Sequence, residues 1–250
     1  MREGQSREKR LVAAVHWEIW RCETAWCDDE VLATCAKYLS DDERGRLEAA
    51  ASTTRRCEFA LGRGLLRWVL SQHAPLLPKA WRFALAASGK PYALLPAPQP
   101  PSIAFNLAHS GGAIVCAVAH GAHAVGVDIE DHTQERQWQA IARRWFAPTE
   151  LAHLEALAPE AARDAFWDLW TMKEARAKAL GESVVSELGR PLAAAEGRHF
   201  LANLPPSHRV AAWVIAADRH AQWDAPACFD TVPFIWTQEV QWTSRPWPGL

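Results

Sequence analysis

From Leu11 to Trp20 apolar and polar residues alternate closely enough for a strand, because successive strand side chains point to opposite faces. Ser40-Asp41-Asp42-Glu43 reads as a capping box. The Ser40 hydroxyl and the Glu43 carboxylate can each satisfy a free backbone N–H at a helix start, so a helix is predicted toward Ala51. A second helix is predicted over about 55–72, ended by the region of Pro75. Pro91 to Pro101 is proline-rich and reads as an extended loop. Three β-compatible runs follow: Ile103 to Leu107, Ala113 to Ala119 and Ala124 to Ile129. His109-Ser110-Gly111-Gly112 and His120-Gly121 interrupt them, which predicts a meander. Thr149 can cap a helix through Leu157, and Pro159 opens a long helix that Gly181 would end. Arg209 to Ala217 reads as a further strand. Helices followed by strands occur in both halves, which points to an α+β fold of two related units, 1–123 and 124–235. No residue-level repeat accompanies them. The tail, 236–250, carries Trp242, Trp247 and two prolines and suits an irregular arm.

Composition narrows the class. A chain of 250 residues allows one large domain or two small ones. With 49% hydrophobic and 22% charged residues it has the make-up of a globular protein. A net charge of -2 argues against non-specific nucleic-acid binding, which needs an excess of Lys and Arg to displace counterions. The first apolar stretch already contains His16 and Glu18, too polar and too short for a signal peptide or a membrane span. The six cysteines show neither disulfide density nor a CxxC pair, so they are expected as reduced thiols in a cytoplasmic protein. A zinc site from Cys22, Cys27 and a distant His has the wrong spacing.

Two segments carry candidate chemistry. In Gly126-Val127-Asp128-Ile129-Glu130 a strand would place Asp128 and Glu130 on one face. Burying two carboxylates together is costly unless a cation neutralises them. Oxygen ligands favour Mg²⁺, with Mn²⁺ as the alternative, over zinc. A solvated acidic turn from Asp128 to Asp131 is the plainer reading. On the long helix, Trp170, Glu174 and Lys178 are spaced i, i+4, i+8 and share a face. Glu174 and Lys178 could be an ordinary surface pair. Phe166 and Trp167 one turn earlier instead suggest the edge of a cleft.

Basic residues gather elsewhere. Arg56, Arg63 and Arg67 fall near one face of the helix around residue 60, with Arg55 at its edge. They are either a solvated face or a phosphate clamp, since arginine's planar fork pairs well with phosphate oxygens. Ser88-Gly89-Lys90-Pro91 looks like a turn that presents a lysine. The turn after Asn106-Leu107-Ala108-His109-Ser110 could offer backbone N–H groups and an imidazole to a phosphate. There is neither a P-loop nor a GxGxxG.

Taken in order, these motifs resemble the 4′-phosphopantetheinyl transferases of the larger, surfactin-synthetase-activating type. The resemblance covers about Leu39 to Glu182 and is most specific in Gly-Val-Asp-Ile-Glu followed by Trp-Thr-x-Lys-Glu-Ala-x-x-Lys. It implies a monomer of two similar α+β halves, a pseudo-dimer, with coenzyme A bound between them. It implies Asp128, Glu130 and Glu174 as magnesium ligands and Lys178 at the coenzyme A phosphates. Arg55, Arg63, Lys90, Pro91 and His109 match positions that hold the nucleotide and its 3′-phosphate. The family often has Ser-His-Ser where this chain has Ala108-His109-Ser110, so one hydroxyl is missing and backbone donors would take its place. The implied reaction moves phosphopantetheine to a serine of an apo acyl or peptidyl carrier protein. In it Mg²⁺ bridges the pyrophosphate, Glu174 takes the serine proton directly or through water, Lys178 serves the leaving phosphate, and Glu130 is counted with these two as catalytic. Trp138, Ile141, Trp145 and Phe146, beside Arg143 and Arg144, are the expected docking patch for the acidic carrier. Core packing is the alternative for those aromatics. Two rival functions are another Mg²⁺-dependent phosphohydrolase and a non-catalytic carrier-binding module.

Overall fold

Strand β1, Ala14–Glu23, realises the first alternation and sorts its side chains between two cores. Val15, Trp17 and Ile19 turn to one side, and Trp20 and Cys22 to the other. The computed structural model describes residues 14–94, 103–133, 136–192, 197–204, 207–216, 222–223, 227–232, 236–239 and 243–244. Leu11 to Ala13, Trp242 and Trp247, on which parts of the sequence reading fall, lie outside the described residues.

Three helices cover one face of the first sheet. Helix α1, Asp29–Tyr38, is opened by Asp28, whose Oδ1 accepts from the Val31 N–H at 2.8 Å. Helix α2, Asp41–Glu48, starts with the expected capping box: Glu43 N donates to Ser40 Oγ at 3.4 Å and Ser40 N to Glu43 Oε2 at 3.0 Å. Helix α3 runs over Thr53–His73. The proline-rich stretch begins as a strand and not as a loop, and its residues 95–101 lie outside the described residues. Pro91–Leu94 is strand β3, paired antiparallel with β2, Arg82–Leu85, as an isolated hairpin.

The expected meander is half right. Strand β4, Ile103–Ser110, pairs antiparallel with β5, Ala113–His120, and β5 pairs with β1. Strand β6, Ala122–Asp131, leaves that sheet. Gly121 turns the chain at φ +70, and a Cβ there would come within 2.5 Å of the Ala14 carbonyl oxygen. β6 becomes the edge of a second sheet with β7, Arg198–Leu204, and β8, His208–Ala216. Strands β9, Gln222–Trp223, β10, Ala227–Val232, and β11, Trp236–Glu239, return to the first sheet, whose order is β11-β10-β1-β5-β4 with β9 beside β1. β12, Thr243–Ser244, pairs with β7. Part of the segment expected as an irregular arm is therefore strand.

One long helix covers the second sheet, and three shorter helices pack on it. α4 is Trp138–Trp145, α5 is Pro148–Glu155, α6 is Pro159–Leu180 and α7 is Val184–Leu188. Thr149 does not cap α5. The cap is Ala147, whose N–H donates to Glu150 Oε2 at 3.2 Å. α6 ends at Gly181 with φ +71, as Gly alone does readily. The two sheets pack face to face through Val115, Ala117, Val125, Val127, Val210 and Val214, all fully buried.

Candidate active site

Gly126 brings β6 and α6 together. A Cβ on Gly126 would lie 2.0 Å from the Ala175 carbonyl oxygen and 2.4 Å from the Ala179 nitrogen. Only glycine permits that approach. Gly126, Asp128 and Glu130 share a strand face by the period of two, so the same approach aims both carboxylates at α6. Val125, Val127 and Ile129 fill the core on the other face. From the helix, Glu174 and Lys178 answer one turn apart.

One donor oxygen each of Asp128, Glu130 and Glu174 lies within 4.8 Å of the other two. Lys178 Nζ is 2.5 Å from Asp128 Oδ1. The lysine therefore pairs across the strand–helix contact and not along its own helix. Glu130 accepts from Trp170 Nε1 at 2.7 Å, from Ser110 Oγ at 3.3 Å and from Arg136 Nη2 at 3.3 Å. Asp128 Oδ2 is buried without a hydrogen-bond partner.

Crowding and burial show in the proton affinities. Burial pushes the Asp128 carboxyl up to about 6 against the pull of Lys178. Burial, then the neighbouring Asp128, raises Glu174 to about 7. An orphaned buried carboxylate oxygen inside a triad of oxygen donors fits a hard divalent cation, which would relieve both penalties. Asp128, Glu130 and Glu174 would hold it. A solvated acidic turn does not describe this site: Asp128 and Glu130 are buried.

A seam of side chains links the sheets at this point. Asn106 Oδ1 on β4 accepts from the Val127 N–H at 2.9 Å, and Ser110 Oγ accepts from the Asp131 N–H at 3.2 Å. β4 and β6 thus meet edge to edge through two side chains four residues apart. Ser110, Trp170, Arg136 and Asn106 are the site residues that sequence reasoning left without a role. Asn106, Ser110 and Trp170 stood inside the motifs, but their partners are 20 to 40 residues away.

The basic residues fall into two places. Arg55, Arg63 and His109 line one cleft of about 400 Å³ between α3 and β4. Arg55 and His109 are exposed. Arg63 is also engaged inward: Nη2 lies 2.6 Å from Glu43 Oε1, and the guanidinium stacks over Phe83. Arg67 is not part of a clamp. It is buried, bound to Glu43 and to the carbonyls of Pro78 and Trp81. Lys90 and Pro91 line a different cleft of about 410 Å³, with Tyr92, Phe105, Ala179 and Gly181. Ala108 is buried in the core between the sheets, so the hydroxyl missing there would have faced apolar neighbours.

The aromatic patch needs one correction. Phe146 is buried and stacks on Phe166 at 5.3 Å, so it is core. Trp138, Ile141 and Trp145 are half-buried against the same cluster, while Arg143 and Arg144 are exposed. Lys173, inside the helix motif, is fully buried and pairs with Glu150 at 2.9 Å.

Comparison with known proteins gives a consistent picture. The model of the 4′-phosphopantetheinyl transferase superfamily matches residues 124–220. The chain is 34% identical to a 4′-phosphopantetheinyl transferase of Bacillus subtilis, over 58% of this chain and 67% of that protein. It is 32% identical to the 4′-phosphopantetheinyl transferase HetI of Nostoc sp., over 61% of this chain and 64% of that one. It is 35% identical to the 4′-phosphopantetheinyl transferase Sfp of Bacillus subtilis, over 59% and 62% respectively. The match thus spans about two thirds of the length of these curated relatives.

Proposed function

The chain belongs to the 4′-phosphopantetheinyl transferase superfamily, and from that premise we propose that it transfers the phosphopantetheine arm of coenzyme A to a serine of an apo carrier protein, releasing 3′,5′-ADP. The observation that carries the reading is the convergence of Asp128, Glu130, Glu174 and Lys178 on the β6–α6 contact. A divalent cation bound by the three carboxylates would supply positive charge to the pyrophosphate. Glu174 is the carboxylate placed to take the serine proton, directly or through water, because it is the least buried of the three. Lys178 offers its ammonium to the leaving phosphate oxygens. Glu130, gripped by Trp170, Ser110 and Arg136, orients the triad.

Coenzyme A would lie along the β4–β6 seam, with its 3′-phosphate toward Arg55, Arg63 and His109. The acyl or peptidyl carrier would dock near Trp138, Ile141 and Trp145, steered by Arg143 and Arg144. Both sheets contribute to one site within one chain, which suits a monomer of two halves. The six cysteines form no disulfide, which suits a reducing compartment such as the cytoplasm.

The test is intact mass spectrometry of an apo carrier incubated with this protein, coenzyme A and Mg²⁺. A gain of one phosphopantetheine supports transfer. Phosphate release from small esters with no mass gain would assign a phosphohydrolase, and carrier binding without either would assign a docking module.

A further inference from the structure

Lys90 is held by backbone and not by the basic cleft. Its Nζ donates to the Val125 carbonyl at 2.9 Å and to the Ala179 carbonyl at 3.0 Å. Val125 lies on β6, three residues before Asp128. Ala179 directly follows Lys178, in the last turn of α6, where carbonyls have no intrahelical donor and carry partial negative charge. A cation placed there caps the helix. Burial pushes the Lys90 amine down to about 8, as expected of an ammonium held away from water.

The turn that carries Lys90 is itself fixed. Gly89 N donates to the Ala86 carbonyl at 2.8 Å and Ala86 N to the Lys90 carbonyl at 2.9 Å. The same turn abuts the helix end: a Cβ on Gly181 would come within 2.8 Å of Ser88 Oγ. The hairpin tip therefore meets α6 at its C-terminus, while Gly126 meets α6 over Ala175 and Ala179. Earlier on the helix, Trp170 and Lys178 reach Glu130 and Asp128, so the hairpin tip adds the hold at the helix end. Lys90 joins the two elements directly at that end, bonding a carbonyl of each.

We propose that Lys90 is a positioning residue that ties β6 to the end of α6 and so sets Asp128 against Glu174 and Lys178. This rests on the transferase reading of the same site, but it gives Lys90 a task other than gripping the nucleotide. A side chain that gripped nucleotide would change coenzyme A affinity. A tether changes the geometry of the carboxylates and hence turnover and cation affinity.

The experiment compares the full chain with Lys90→Met and Lys90→Gln. Two measurements are made: steady-state transfer with varied coenzyme A, and calorimetric binding of Mn²⁺ without coenzyme A. For Lys90→Met the expected result is a kcat loss of about tenfold or more, since misplacement by an ångström is enough. Mn²⁺ affinity should fall by about tenfold, as for lost supporting contacts around a metal, and KM for coenzyme A should stay near wild type. Gln keeps a donor amide and should recover part of both losses. A raised KM with unchanged kcat and Mn²⁺ affinity would overturn the proposal and return Lys90 to the nucleotide. If the Met variant does not fold, Lys90→Gln carries the comparison, with amide exchange read over residues 175–182. Faster exchange confined to that turn supports the tether, and unchanged exchange overturns it. Should wild type transfer nothing, the transferase reading fails, while Mn²⁺ binding and exchange still decide the tether.

Discussion

Lys178 Nζ lies 2.5 Å from Asp128 Oδ1, across the contact between α6 and β6. The pair partly neutralises a carboxylate whose second oxygen is orphaned. Asp128→Asn would keep the shape and remove the charge. Transfer should fall by about 100-fold or more, the scale of losing a preorganised electrostatic contact. Glu174→Gln should behave alike. Thermal melting without added cation should be unchanged or higher, because like charges are relieved. Near-normal turnover by both variants at ordinary Mg²⁺ would show that the triad is not the reacting centre.

Gly126→Ala tests the close approach. The new Cβ would meet backbone atoms of Ala175 and Ala179, which cannot swing aside. A stability loss of about 3 kcal/mol in urea unfolding is expected. A loss under about 0.5 kcal/mol would mean that α6 shifts freely and the site geometry is looser than described.

The metal-free protein should show an inverted pH dependence near neutrality. Asp128 and Glu174 hold protons up to about 6 and about 7 in the folded state. The unfolded chain releases them near about 4. Folded protein thus binds more protons across that window, and the contribution of these groups to stability falls as pH rises through it. A divalent cation needs ionised ligands. The melting-temperature gain from Mg²⁺ should therefore grow from pH 5.5 to pH 8. An equal gain at both values, or none, would contradict the cation site.

The two cleft arginines should separate. Arg55 is exposed, with Glu58 at 3.7 Å, so Arg55→Ala should leave melting unchanged. Its KM should rise for coenzyme A and much less for the 3′-dephospho analogue. Arg63→Ala should also lower stability by about 2 kcal/mol, because Glu43 is buried and its Oε1 would lose the arginine, leaving Arg67 and the Ser40 N–H on Oε2. Equal KM effects on both substrates would move the 3′-phosphate elsewhere.

Carrier docking should be electrostatic. Arg144 is exposed and lies over the Trp145 ring at 5.0 Å. Arg144→Glu should raise KM for an acidic carrier, most at low salt, with KM for coenzyme A unchanged. A salt-independent effect, or none, would remove this surface from the interface.

Much was legible in the chain itself. Ser40 and Glu43 announced a helix start, and Pro159 and Gly181 bounded α6, because caps and breakers act through their own backbone neighbours. The period of two placed Asp128 beside Glu130, and the period of 3.6 placed Glu174 beside Lys178. Local spacing could not show what faces what. It could not send β6 into a second sheet, since β6 pairs with β8, about 80 residues later. It could not show that Arg67 is a buried partner of Glu43, that Phe146 is core, or that Lys90 binds two carbonyls 35 and 89 residues away. Nor could it show that Trp170 and Ser110 hold Glu130. The sequence by itself determined which residues share a strand or a helix face, because backbone geometry repeats every two or 3.6 residues. Tertiary structure alone decided which faces meet, because that depends on close approaches such as Gly126 against Ala175, made between residues far apart in the chain.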